Sequence, residues 1–470
     1  MPRILLAIWK FVVPFLLLMF VWGKVVTELL RYFHLRQPDL YGFWPTVGFG
    51  TLLVALFTLG VILSYNLAAA FYRILRWFPS ASMHPPQRPL PGSADASFPY
   101  ERIGLILAGG GAKGAYQAGA MRAIWEFLDE RHALERVRMI AGTSIGAWNA
   151  LFWMAGLVRP PDGQARSAHE SWWRGISPDQ VLDFDWYLPF VRNHIGRATP
   201  WRETFRKMFV EYQPVRERLG ELLVAEHGKA PLHFYLTRSN VKAGELEFST
   251  NRWDLGEPAF QDPRTGTMKP RIRRSLYQVL DGADRDGAFR ALEEAVFASM
   301  DIPPLFPFSK IRDPIEEKDE WFEDGGVIDN LPMRFGTAME DCDLLFVLPL
   351  NASFERDVNR RSILSRLSRA MEVRQGVLER NAFKQAYLYN DLHKLKNQSQ
   401  VTVFAICPAE PLAVGTIDFH KPVEAGKAYQ LMYDATLRRL RADFATLNPS
   451  WIELFTVAPD GTPGQTIDDF

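Results

Sequence analysis

The sequence predicts an α/β domain built on a mainly parallel sheet, preceded by an apolar N-terminal hairpin. Short, continuously apolar runs carry the first part: RIGLILA (102–108), VRMIA (137–141), Asp343 to Leu350 and Val401 to Ile406 have the length and composition of strands buried on both faces. The first two pass through glycine-bearing turns into AYQAGAMRAIWEFLDE and AWNALFWMAGL, whose apolar residues recur at helical spacing. Strand, turn and helix in that order is the unit from which parallel sheets are assembled. LHFYLTRSN and ELEFSTNRW read as a strand pair returning to the sheet. The hairpin rests on a different observation: from Leu40 to Tyr72 the chain carries no charged residue.

Within that stretch Phe43 to Leu63 is long enough to cross ~30 Å of hydrocarbon as a helix. Its glycines, Gly48, Gly50 and Gly60, are compatible with close approach of membrane helices. Ile4 to Trp22 is a second apolar run, with Pro14 and one charge, Lys10, near enough to its end to snorkel. A cleaved signal peptide is the rival reading of this run, but no small-x-small cleavage site follows it. The expectation is a two-span hairpin over 1–75, with spans at about 4–23 and 43–65. Arg3, Lys10, Arg73, Arg76 and Arg88 on the side of the chain ends outnumber Lys24, Arg31 and Arg36 in the loop, which places the ends and the following domain in the cytoplasm. Six prolines between Pro79 and Pro99 make 76–100 an extended spacer. The catalytic core is expected over 101–350, with a Trp-rich insertion at about 157–230, and 351–470 extends it with further strands and helices.

Composition narrows the chemistry. With 47% hydrophobic and 23% charged residues over 470 positions, the chain is not disordered. Lys+Arg and Asp+Glu both total 54, which argues against a nucleic-acid partner. Two cysteines exclude a disulfide scaffold or thiolate zinc cluster, and Cys342 and Cys407 sit in strand-like runs as inert buried thiols. The nine histidines are scattered and form no H-E-x-x-H pair, so no metal site is expected.

The first strand meets Gly109, Gly110 and Gly111, then Ala112, Lys113 and Gly114. Such a turn brings bare backbone N–H groups up to an anion, either a phosphate or the oxyanion of an acyl intermediate. Gly109, Gly111 and Gly114 satisfy G-x-G-x-x-G, but the ribose-binding acid of a dinucleotide site would fall at Asp129, inside the helix. A Walker loop would need Gly-Lys-Ser/Thr, whereas Lys113 precedes Gly114 and Ala115. The second strand ends in Gly142-Thr143-Ser144-Ile145-Gly146, a G-x-S-x-G elbow in its required strand–turn–helix context. The elbow exposes a serine oxygen at a helix N-terminus. A serine nucleophile needs a base. His393 lies in a charged helical stretch and His420 in a loop, neither aimed by a glycine turn, whereas WFEDGGVIDNLP sets Asp324 directly before Gly325 and Gly326.

GGGAKG at 109–114, GTSIG at 142–146 and DGGVIDNLP at 324–332, with ASMDIPPLFPF at 298–308 ahead of the aspartate, together resemble the patatin-like phospholipase family. The resemblance covers about Ile103 to Leu350. It implies a Ser–Asp dyad on an α/β sheet that hydrolyses acyl esters of membrane lipids without a metal or organic cofactor. Ser144 would be the nucleophile and Asp324 the base, with backbone N–H groups of Gly110, Gly111 and Ala112 in the loop Gly109–Gly114 holding the oxyanion. With no imidazole between them, Asp324 must touch Ser144, and burial would raise its pKa. Lys113 is either a solvated side chain or one that orients the loop or meets lipid phosphate.

Trp172, Trp173, Trp186 and Trp201 in the insertion either pack a helical subdomain or form an interfacial surface over the site. Arg360 to Lys396 is a basic helical stretch, either a solvated face or one drawn to anionic lipid heads. The fold expected is thus a three-layer α/β sandwich. Three other functions stand beside the dyad hydrolase: a Ser-His-Asp triad esterase using His420, a nucleotide-binding oxidoreductase using the glycine loop, and a non-catalytic lipid-binding scaffold.

Overall fold

A computed structural model of the chain describes residues 98–184, 194–223, 230–256, 258–261, 268–270, 272–280, 285–312, 318–350, 363–396, 398, 400–408, 412, 414–444 and 452–457. The two expected membrane spans, nearly all of the spacer and Trp186 lie outside the described residues. Among the described residues no helix is long and apolar enough to cross a membrane.

Among the described residues ten strands form the main sheet: β1 (Ile103–Leu107), β2 (Val137–Gly142), β3 (His233–Asn240), β4 (Glu245–Thr250), β5 (Tyr277–Val279), β6 (Ser309–Arg312), β7 (Asp319–Asp324), β8 (Leu344–Leu348), β9 (Thr402–Pro408) and β10 (Ile452–Val457). Their order is β6-β7-β3-β2-β1-β8-β9-β10, with β4 on β3 and β5 on β4. The run from β3 through β10 is parallel throughout, as the apolar runs predict; β4, β6 and β7 supply the antiparallel pairings. The strand pair read from 232–253 is the β3–β4 hairpin, turned by Asn240, whose side-chain oxygen accepts from the N–H groups of Lys242 and Ala243 at 3.0 and 2.9 Å.

Among the described residues the helices of seven residues or more are α1 (Gly114–Glu130), α2 (Ile145–Met154), α3 (Ala168–Gly175), α4 (Thr199–Phe205), α5 (Gln213–Leu223), α6 (Arg285–Met300), α7 (Ile363–Leu395) and α8 (Pro422–Asp443). Successive side chains of a strand point to opposite faces. Ile103, Leu105 and Leu107 of β1 therefore join a core with α1, α2, α6 and α8, while Ile106 joins a second core with Phe335 and Phe383 of α7. A sheet with packed side chains on both faces explains why β1 and β8 read as unbroken apolar runs.

α1 and α8 meet closely at Gly119, where an added Cβ would lie 2.0 Å from the Tyr429 carbonyl oxygen. Gly119→Ala is therefore expected to lower stability by about 1–3 kcal/mol, measured as a fall in the thermal midpoint, because neither helix backbone can yield cheaply.

The insertion is settled for three of its tryptophans. Trp172, Trp173 and Trp201 are buried, and Trp148 of α2 packs against Trp172, Trp201 and Phe209 at ring distances of 5.2, 5.4 and 5.5 Å. They form an aromatic core behind the serine elbow, where tilted and edge-on packing of large rings buries much apolar area. They are not the interfacial surface that remained an alternative in the sequence.

Candidate active site

β2 ends at Gly142 and α2 starts at Ile145, so the chain must reverse direction within two residues. Ser144 takes the bend at φ 55°, ψ −124°, a region that non-glycine residues rarely occupy. Its N–H is held by the Ser299 hydroxyl at 2.9 Å. The flanking glycines are required by space: a Cβ on Gly142 would lie 2.6 Å from the Gly146 carbonyl, and one on Gly146 would lie 2.3 Å from that of Leu107.

The sheet brings Asp324 to this point. Residues 233–236 of β3 pair with β2, and residues 238–240 of the same edge pair with β7. Gly142 thus sits opposite Leu236, and Asp324 opposite Arg238. Thr237 lies between them and its hydroxyl bonds that of Thr143 at 2.7 Å. Gly325 packs so closely on Thr237 that a Cβ would lie 2.3 Å from its hydroxyl oxygen.

The Asp324 carboxylate accepts from the Gly326 N–H at 2.7 Å, and that bond and the Ser144 side chain both pull its pKa down. Burial is the larger influence and outweighs both, pushing its pKa up to about 7. Its own N–H donates to the Asp301 carbonyl at 3.0 Å. Asp301 is a second buried carboxyl, also pushed up to about 7 by burial, with the Ser309 hydroxyl as a donor and the charge of Asp324 nearby. A polar cavity of about 360 Å³ opens beside Asp301, lined by Arg197, Arg202, Glu294, Ser309 and Lys310 among others; Ser144 and Asp324 do not line it.

The glycine loop closes the other side. A Cβ on Gly109 would lie 2.9 Å from that of Ser144. Among the described residues the N–H groups of Gly110 and Gly111 have no hydrogen-bond partner. The Ala112 N–H, expected as a third oxyanion donor, instead donates to the Thr416 carbonyl at 2.9 Å. Those of Lys113 and Gly114 turn back onto Gly110 and Gly111. Lys113 is not solvated: it is 6% exposed and its ammonium lies 3.3 Å from Glu372 of α7.

Contacts from α7 were not foreseen. Asn330 donates to the Gly109 carbonyl at 3.2 Å and to Glu379 at 2.7 Å, joining the glycine loop, the aspartate turn and α7. Arg374 donates to the Val327 carbonyl. One sequence signal was available, since Glu372 and Glu379 stand seven residues apart, on a single face, in a helix whose only other acid is Asp391. Ser299 lies in the 298–308 block of the resemblance, which assigned it no role, and Thr237 offered no signal. Glu379→Ala is expected to lower kcat about tenfold with little change in KM, and Glu379→Gln to recover most of it, because the amide still accepts from Asn330.

Among the described residues no histidine bonds Ser144 or Asp324. His420 is exposed and His393 stacks on Tyr389. His169 is buried against Asn149 at 2.9 Å, and burial lowers its pKa to about 3. Among the described residues no group of three His, Cys, Asp or Glu side chains is placed to hold a metal ion.

Residues 105–335 match the family model of patatin-like phospholipases. No curated protein matches the chain. Among solved structures the chain is similar to VipD from Legionella pneumophila, at 16% identity and a TM-score of 0.30, covering 73% of this chain and 67% of that one. It is also similar to the type III effector ExoU, at 14% identity and a TM-score of 0.19, covering 61% and 53%. Full-length ExoU of Pseudomonas aeruginosa in complex with SpcU matches at 13% identity and a TM-score of 0.22, covering 74% and 72%. The family match runs from β1 past Asn330 and so takes in each loop that meets at Ser144; over residues 105–335 this chain carries a patatin-like phospholipase domain.

Proposed function

We propose that the chain is a serine acyl hydrolase of the lipase or phospholipase A type, cleaving fatty-acyl esters of membrane lipids with Ser144 as nucleophile and Asp324 as base. The observation that carries this reading is Ser144, held at a strained elbow, set beside a buried carboxyl that burial pushes up to about 7 and on which the Ser144 hydroxyl acts as a donor. A base matched to neutral pH takes up a proton readily and returns it readily. In acylation the Ser144 oxygen bonds the ester carbonyl carbon while its proton moves to Asp324. Negative charge on the carbonyl oxygen is met by the N–H groups of Gly110 and Gly111. Collapse breaks the bond to the alcohol, which leaves with the proton from Asp324. Water then attacks the acyl-serine with Asp324 again as base, releasing the fatty acid and restoring the serine. These steps require no metal or organic cofactor.

The test is fatty-acid release from mixed phospholipid–detergent micelles by the full chain. Ser144→Ala is expected to abolish release, and His420→Ala to leave it within about twofold, since an exposed loop histidine has no part in the dyad. Loss with His420→Ala would replace the dyad by a triad; no release by the wild type above Ser144→Ala would remove the hydrolase reading.

In the same reading the segments at about 4–23 and 43–65 anchor the chain in a bilayer, with residues 76–100 as spacer and the core, 101–350, and its extension, 351–470, on the cytoplasmic side. Alkaline carbonate extraction should leave the chain with the membranes, and its release into the supernatant would dismiss the anchor.

A further inference from the structure

α7 has two faces of opposite character. Its inner face holds Glu372, Glu379, Phe383, Ala386 and Asn390, all buried. Its outer face carries Val373, Val377, Leu388, Leu392 and Leu395, which fall within an arc of about 100° at 3.6 residues per turn. These five are exposed, Leu395 by 84%, and they are nearly half of the large exposed hydrophobic side chains among the described residues. Scattered apolar residues on a surface call for no explanation, but a continuous stripe does.

The charges are sorted as well. Glu372 and Glu379 turn inward to Lys113 and Asn330, so they do not neutralise the outer surface. Arg374, Lys394 and Lys396 are exposed and Arg380 and Lys384 are half-buried, against Asp391 as the one exposed acid of the described part of this helix. Aliphatic side chains interleaved with long cationic ones suit an interface where the stems enter the acyl region and the heads stay with phosphate.

We propose that this outer face of α7 docks on an anionic phospholipid surface, which deepens the lipid-hydrolase reading and rests on it. Each basic side chain near such a surface adds to the attraction, and the apolar stripe fixes which side of the helix faces the lipid. The same helix holds the glycine loop and the aspartate turn from its inner face through Glu372 and Glu379, so docking would set the dyad loops at the membrane that supplies the substrate.

The test uses the full chain with an environment-sensitive fluorophore on Leu392→Cys. Cys342 and Cys407 are buried, with thiol pKa values raised by burial, so they do not compete for the label. The labelled chain is reconstituted in phosphatidylcholine vesicles with or without phosphatidylserine. With phosphatidylserine the emission should shift to the blue and be quenched by spin-labelled lipid, while the same label on exposed Tyr212→Cys should stay aqueous. Combined Lys384→Glu, Lys394→Glu and Lys396→Glu should reduce the docking equilibrium by on the order of a hundredfold. An aqueous signal in both lipid compositions would overturn the proposal. A blue shift that ignores charge reversal would do so too, because another part of the chain or a neutral surface would then cover the stripe. Hydrolysis of a water-soluble short-chain ester, blocked by Ser144→Ala, is read in parallel. Its persistence without docking sinks this inference alone, whereas its absence in the wild type sinks the hydrolase reading whatever the label reports.

Discussion

Asp324→Asn is expected to lower fatty-acid release by about a thousandfold or more at neutral pH while leaving the chain folded. The amide keeps the shape of the carboxyl and can still accept from the Gly326 N–H, but it cannot take the proton from Ser144. The wild type should gain activity as pH rises through about 7, where Asp324 becomes the charged base, and then level off. Stability runs the opposite way. The folded-state pKa lies above the unfolded value of 3.8, so the folded chain holds a proton that the unfolded chain has released. That contribution is fully present below about pH 4 and is lost as pH rises through about 7. Asp301, raised to the same range and sensing the charge of Asp324, adds to the loss, and the two should titrate as a pair. Asp324→Asn should therefore melt higher than the wild type at pH 8, by an amount on the order of a few kcal/mol, and differ little from it at pH 4. A variant that loses activity without gaining alkaline stability would mean that the carboxylate is not buried at the dyad. The pH–rate profile and thermal denaturation across pH check both halves.

Gly146→Ala should be at least as damaging, but to the fold. The new methyl would stand 2.3 Å from the carbonyl oxygen of Leu107 and 2.9 Å from that of Ala108, both backbone atoms at the end of the central strand. No rotamer relieves such a clash, so α2 must move off β1 and Ser144 with it. A loss of about 3 kcal/mol or more is expected, read as a thermal midpoint lower by many degrees, with hydrolysis lost in parallel. Gly175→Ala is the control. A Cβ there meets nothing within 4 Å, and the last residue of α3 gains helix propensity from alanine.

Much of the scaffold was legible in the chain because its signals are local. β1, β2, β8 and β9 are short apolar runs since each is covered on both faces, and glycine punctuates the two turns where backbone must touch backbone. The burial found for Asp324 was expected from the base role that the resemblance implies. What the sequence did not carry depends on distant pairing. That Ala112 would donate to Thr416, or that Lys113 would be buried against Glu372, is decided by segments some 260 to 300 residues further on. A lysine beside a glycine turn looks solvated until the helix that covers it is in place. The tryptophans of the insertion were equally ambiguous, because an aromatic run has the same composition whether it faces lipid or packs on α2.

The position of β8 sets a limit on how this chain can be divided. β1 is the central strand, yet one of its two partners, Leu344–Leu348, lies beyond residue 335, where the family match ends. A fragment stopping there would leave β1 with an open row of unpaired N–H and C=O groups in the middle of an apolar sheet, a ready template for pairing with another copy. It would also lack Glu372 and Glu379 and the helix that packs on Gly119. The boundary drawn by family resemblance is therefore not a boundary of folding. A graft, a crystallisation fragment or a recombination event that keeps only the recognisable motifs should yield aggregates, and a transferable unit has to extend at least through α8.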